Sequence, residues 1–164
     1  MIIKLNNITL DVDIEKTKQF YAQAKVITDG CSCDGCRNFM LGTDKVKGEI
    51  LDFFSNLGID IQKPAEIMSL CAEDNGETIY YEGWYHICGK ILTGNDCWTA
   101  TVNDDNGTSV YKICDENLYH VSEEFAVGFS NNIALQDDDF PMPIIQMEIF
   151  FHHFPWVLNE PNKN

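Results

Sequence analysis

Apolar and polar residues alternate through "ITLDVDI" (8–14), the period of two expected of a half-buried strand. "QFYAQAKVI" (19–27) keeps that rhythm. Phe20, Ala22, Ala24 and Val26 fall to one side and Gln23 and Lys25 to the other, which predicts a second strand, with a helical start near 13–18 as the competing reading. The period lengthens in "TDKVKGEILDFFSNLG" (43–58). There Val46, Ile50, Leu51, Phe54 and Leu57 make a helical stripe, Thr43 suits the N-cap, Asp44 the first turn and Gly58 the stop. "KPAEIMSLC" (63–71) predicts a second, short helix with Pro64 in its first turn.

From residue 78 the period returns to two, and "TIYYEGWYHICGKILTG" predicts a strand of about fifteen residues. The turn signals "GND" (94–96), "NDDNG" (103–107) and "DEN" (115–117) then separate "CWTATV", "SVYKIC" and "LYHVSEEFAVGF". Gaps this short exclude helical crossovers, so these segments read as an antiparallel meander. "PIIQMEIFF" (143–151) adds a last strand with Ile145, Met147, Ile149 and Phe151 on one face. The pattern therefore predicts a single α+β domain over 1–164. Its largely antiparallel sheet of about five to seven strands packs with one longer and one short helix.

Composition supports a sizeable core: 45% of residues are hydrophobic and 12% aromatic. No apolar run approaches the roughly 18–20 residues of a membrane-spanning helix, and the first residues lack a signal-peptide pattern, so a cytoplasmic protein is expected. The net charge is −15. Residues 1–72 hold 8 basic and 10 acidic groups, whereas 73–164 hold 3 basic and 16 acidic, so the second part carries −13 of that total. Such a surface repels nucleic acid and anionic membranes and would attract a basic partner protein, although acid kept for solubility explains it more simply.

Seven cysteines stand at 31, 33, 36, 71, 88, 97 and 114. An odd number in a reducing compartment predicts free thiols unless a metal or a catalytic cycle claims some. Three of them crowd into "CSCDGC" (31–36). Cys33 and Cys36 have the C-x-x-C spacing that lets two sulfurs meet at one zinc ion, and Cys31 is a third ligand; the fourth would come from Cys71, His86, Cys88, His152 or His153. No second paired knuckle accompanies them. Thiol redox chemistry at Cys33 and Cys36 is a further reading, because a helix starting near 36 would favour a thiolate, but an antiparallel sheet is the wrong scaffold for a thioredoxin-like motif. Small packed thiols without reactivity lead on spacing alone, ahead of the metal and then the redox pair.

In "EGWYHICGK" (82–90) strand geometry places Trp84, His86, Cys88 and Lys90 on one face. Parallel side chains two residues apart suit co-ligation by His86 and Cys88 better than proton transfer, and a hydrogen-bonded histidine without chemistry is the simpler explanation. His152 and His153, being adjacent in a strand, should point to opposite faces, and Trp156 should anchor the C-terminus. Asp137 to Asp139 and "NDDNG" lack the calcium-loop spacing and read as solvated turns; nucleotide-binding, hydrolase and zincin motifs are missing.

"CSCDGCRNF", "LGIDIQKPAEI", "EGWYHICGKI" and "PWVLNEP", in that order, resemble a family of small bacterial proteins. Its members carry a C-x-x-C-x-N-[FY] segment followed by a G-I-D…K-P-A-E stretch. The similarity spans about three-quarters of the chain and implies a shared fold without an assigned activity. From the charge and the cysteine spacing three functions are expected in turn: a non-enzymatic module, inhibitor-like or immunity-like, that binds a basic protein; a zinc-binding domain using Cys31, Cys33 and Cys36; and a thiol redox protein using Cys33 and Cys36.

Overall fold

The computed structural model describes residues 1–102 and 109–162. Its elements are strands β1 (Ile2–Leu5) and β2 (Ile8–Val12), helices α1 (Ile14–Gln23), α2 (Ile27–Gly30), α3 (Asp34–Gly42) and α4 (Glu49–Asn56), then strands β3 (Glu66–Glu73), β4 (Thr78–Thr93), β5 (Trp98–Val102), β6 (Ser109–Ile113), β7 (Tyr119–His120), β8 (Phe125–Ser130) and β9 (Ile144–Pro155). Seven strands form one antiparallel sheet in the order β1-β2-β4-β9-β8-β7, with β3 also on β4, and β5 and β6 make a separate ribbon. This is the α+β architecture the pattern predicts, with four helices instead of two. The turn "NDDNG" (103–107) lies outside the described residues.

Two segments change type. Residues 14–23 are helical: Asp13 caps them by accepting from Lys16 N at 3.1 Å, and Thr17 and Tyr21 are buried at helical spacing. The apparent alternation further along rested on Ala22 and Ala24, which carry no strand preference and favour helix. Residues 66–73 are a strand despite helix-forming Ala, Glu, Met and Leu, because the first half of β4 offers an unpaired ladder there, from Glu66↔Trp84 to Glu73↔Thr78. The 43–58 helix is shorter than the pattern suggests. Gly48, at φ +64, separates a short 3-10 turn from α4, and Thr43 Oγ1 donates to Met40 O at 2.7 Å instead of capping α4. The stop at Gly58, φ +74, holds. The strands after β4 do not run as a simple meander either: β9 lies between β4 and β8.

β4 organises the sheet. β9 covers one of its edges from Thr78 to Cys88. On the other edge β3 ends at Trp84 and β2 begins at Gly89, leaving a gap. Two side chains of helix α1 and two flanking backbone groups close that gap. Ala65 N donates to Trp84 O (2.9 Å), Tyr21 Oη accepts from His86 N (3.1 Å) and donates to His86 O (3.0 Å), Thr17 Oγ1 accepts from Cys88 N (3.0 Å), and Asp13 N donates to Cys88 O (2.8 Å). Every inward polar group of this stretch is thereby paired, as burial demands.

The sheet's two faces differ. Tyr81, Tyr85, Phe125 and Phe151 meet the helices on one face, with Phe39 of α3 at 5.3 Å from Tyr81 and Phe54 of α4 at 5.0 Å from Tyr85, centroid to centroid. The opposite face carries His86, Gln146, Glu148 and Ser130, all buried. Polar groups survive there because they bond one another. Ala134 N donates to Gln146 Oε1 (2.6 Å), while Gln146 Nε2 (2.6 Å) and Trp98 Nε1 (2.8 Å) both donate to Glu148 Oε1.

Candidate metal centre

Cys31 is the residue that ends α2, Cys33 is the N-cap of α3, and Cys36 lies in the first turn of α3. The short extended link between the two helices brings three sulfurs together. Their Sγ atoms all lie within 4.8 Å of one another, with Cys31 to Cys33 at 3.4 Å. Cys33 Sγ also accepts from Cys36 N at 3.4 Å, the bond a capping side chain makes to the third helical residue. Cys33 is exposed, Cys31 half-buried and Cys36 buried.

The platform beneath is firmly held. Tyr81 Oη donates to Gly35 O at 2.7 Å, and Gly35 lies so close to β3 that a Cβ on it would sit 2.5 Å from Ser69 Oγ. Asn38, fully buried, donates to Tyr81 Oη (3.2 Å) and Pro155 O (3.1 Å) and accepts from Val157 N (2.7 Å). Helix α3 is therefore bonded to β4, β9 and the C-terminal segment and packed closely on β3.

The cluster holds its protons unevenly. Hydrogen bonding from the Cys33 backbone, then from the Cys33 and Cys36 side chains, draws the Cys31 thiol below its ordinary range. Burial, followed by the neighbouring sulfurs, pushes Cys36 up. A tetrahedral zinc ion with Zn–S bonds of about 2.3 Å needs sulfurs roughly 3.8 Å apart, so the set fits such an ion with displacements under about 1 Å.

The other expected ligands stand elsewhere. Among the described residues the converging set comprises Cys31, Cys33 and Cys36, without Cys71, His86, Cys88, His152 or His153. His86 is buried, its Nε2–H donates to Ala134 O at 3.0 Å, and desolvation lowers its pKa, so it is a neutral core imidazole. It lines a cleft of about 710 Å³ with Phe20, Lys63 and Asp137, whereas Cys88 borders a different one beside Asp13 and Pro143. The two side chains do not share a site, although strand geometry puts them on one face.

His152 and His153 also depart from strand geometry. His153 has φ +51, and the kink turns both imidazoles to one acidic corner: His152 Nδ1 is 3.1 Å from Glu73 Oε1, and His153 Nδ1 is 2.8 Å from Asp74 Oδ2. Trp156 packs against the core as expected, its Nε1 donating to Glu160 O at 2.7 Å. Sequence reasoning missed the side chains that hold the cluster's platform. Tyr81 and Asn38 sit 43 positions apart, and no local pattern links them.

No helix among the described residues is long and apolar enough to cross a membrane. No protein-family model, curated protein or solved structure matches the chain.

Proposed function

We propose that the protein is a metal-binding domain in which Cys31, Cys33 and Cys36 hold one zinc ion as thiolates. The observation that carries this reading is the convergence of three sulfurs within 4.8 Å on a turn between two helices. Three thiolates match zinc's preference for sulfur, and the exposed side of Cys33 leaves the fourth position to a water molecule or an external donor. Zinc would displace the thiol protons, including the one Cys36 holds strongly, and pin α2 to α3. Helix α2 has 4 residues, none of them buried, and a helix that short contributes little stability alone, so the ion would add folding energy by tying it to the anchored α3.

A basic partner protein, attracted by the charge of residues 73–164, is compatible with the same fold. The metal reading takes precedence because it rests on converging atoms and not on net charge. Elemental analysis of protein purified under reducing conditions tests it. About one zinc per chain is expected, falling below about a tenth in Cys33→Ser, together with a chelator-induced drop in melting temperature. Metal-free protein that takes up no zinc on titration, with a melting point indifferent to chelator, would end it.

A further inference from the structure

Cys31 and Cys33 are nearer to each other than a closed metal shell requires, and their environments differ in a useful way. Their sulfurs are 3.4 Å apart, one residue (the exposed Ser32) separates them, and Cys33 is open to solvent. Cys36, the third member, is only 3% exposed. The C-x-x-C spacing points to Cys33 and Cys36 as a dithiol pair, but the tertiary arrangement favours a different one. A bridge from Cys33 to Cys36 would have to draw out a sulfur that the first turn of α3 keeps buried. A bridge from Cys31 to Cys33 lies outside the helical turns, in the extended link between α2 and α3.

We infer that Cys31 and Cys33 form a peroxide-sensitive disulfide, and that its closure releases the metal. The metal-release half rests on the zinc reading above; the disulfide half does not. In the first step the Cys33 thiolate attacks one oxygen of a hydroperoxide. An S–O bond forms, the O–O bond breaks, and hydroxide (from hydrogen peroxide) or an alkoxide departs. In the second step the Cys31 sulfur attacks the Cys33 sulfenic acid. The S–S bond forms, the S–O bond breaks, and hydroxide leaves, becoming water with the Cys31 thiol proton in metal-free protein or with a proton from solvent where zinc holds Cys31 as a thiolate. Two sulfurs lose two electrons in total, and the peroxide receives them. Closure shortens the sulfur separation from 3.4 Å to about 2.05 Å and removes two of three donors, so Cys36 alone cannot retain the ion.

The bridge also differs from overoxidation in being reversible, because Cys31 stands ready to resolve the sulfenic acid before a second peroxide arrives. Ser32 and the exposed ends of the two helices give the loop freedom to close without moving Tyr81 or Asn38.

The test uses the full chain. Zinc-loaded, reduced protein is treated with stoichiometric hydrogen peroxide, released zinc is read with a chromophoric chelator, and the cysteines are mapped by mass spectrometry after alkylation. The expected result is loss of two hydrogens per chain, a bridge at Cys31–Cys33 with Cys36 still alkylatable after unfolding, and zinc release in step. A thiol reductant should then restore both the free thiols and zinc uptake. In Cys31→Ser a dimedone-type probe should trap the sulfenic acid on Cys33. A Cys33–Cys36 bridge, or direct passage to sulfinic acid with no bridge, would overturn the inference. Reduced protein that never takes up zinc yet forms the Cys31–Cys33 bridge would sink the metal reading and uphold the disulfide. Zinc that stays bound after the bridge has formed would refute the release step.

Discussion

The Tyr21 hydroxyl makes both hydrogen bonds that a neighbouring strand would have made to His86, accepting from its backbone N at 3.1 Å and donating to its backbone O at 3.0 Å. A side chain from a helix thus replaces a residue of a ladder, at the point where β3 has ended and β2 has not begun. Tyr21→Phe should leave two buried backbone groups unpaired and cost about 1–3 kcal/mol for each one that water cannot reach. Urea unfolding would show a lower midpoint at unchanged slope. A loss below about 0.5 kcal/mol would mean the gap is wetter than its geometry implies.

Glu148 gives the fold a pH dependence. Burial raises its pKa above the ordinary carboxylate value, the Trp98 and Gln146 hydrogen bonds oppose this, and the Asp96 and Glu82 charges reinforce it. Between the unfolded and folded values the folded protein keeps a proton that the unfolded chain has lost. The contribution is therefore complete below about 4.5 and is lost as pH rises through the folded value. Glu148→Gln keeps an oxygen for Trp98 Nε1 and removes the buried charge. Its stability relative to wild type should rise with pH above about 4.5 and level off once the folded carboxyl has ionised. A difference that is flat from pH 4 to 8 would rule this out.

His86 acts in the opposite sense. Its pKa is lowered, chiefly by desolvation, so stability that depends on the neutral ring is present above the ordinary histidine value and fades as pH falls below about 6.5. His86→Gln should flatten stability between pH 5 and 7 while leaving zinc stoichiometry unchanged, and Cys88→Ala should likewise leave it unchanged. Loss of zinc from either variant would return them to the ligand set.

Asn38 ties α3 to the C-terminal segment through Pro155 O and Val157 N. Asn38→Ala should cost about 1–3 kcal/mol per buried group left unpaired and open residues 156–162 to limited proteolysis before the rest of the chain. Cleavage at the wild-type rate would show that Trp156 holds the segment unaided.

Gly83 marks a close approach of two strands. A Cβ there would meet Glu66 O at 2.3 Å and Ile67 Cα at 3.1 Å, both backbone atoms with no freedom to yield. Gly83→Ala should separate β3 from β4 locally and cost about 1–3 kcal/mol in thermal or urea unfolding. A neutral substitution would contradict the register Ile67↔Gly83.

Much of the fold was legible in the chain. β2, β4 and β9 follow the alternation directly, and Gly58 ends its helix as the pattern implies. β3 was not legible, since its helix-forming composition yields to the free edge of β4. Over 19–27 the pattern suits a strand as well as the helix that starts near 13–18, because alanine fits either period, and the packing of Thr17 and Tyr21 against β4 settles which one is used.

The candidate site divides the same way. Local spacing alone marked Cys31, Cys33 and Cys36, because cysteines within six positions cannot be far apart. Which other groups join them depends on where β4 and β9 carry His86, Cys88, His152 and His153, and they carry them to a polar core, a separate cleft and an acidic corner. Short-range sequence thus determined the thiol cluster and the strand periods. Long-range hydrogen bonds from Tyr21, Tyr81 and Asn38 decided which edges close and which ligands stay apart, since partners tens of positions distant leave no trace in a local pattern.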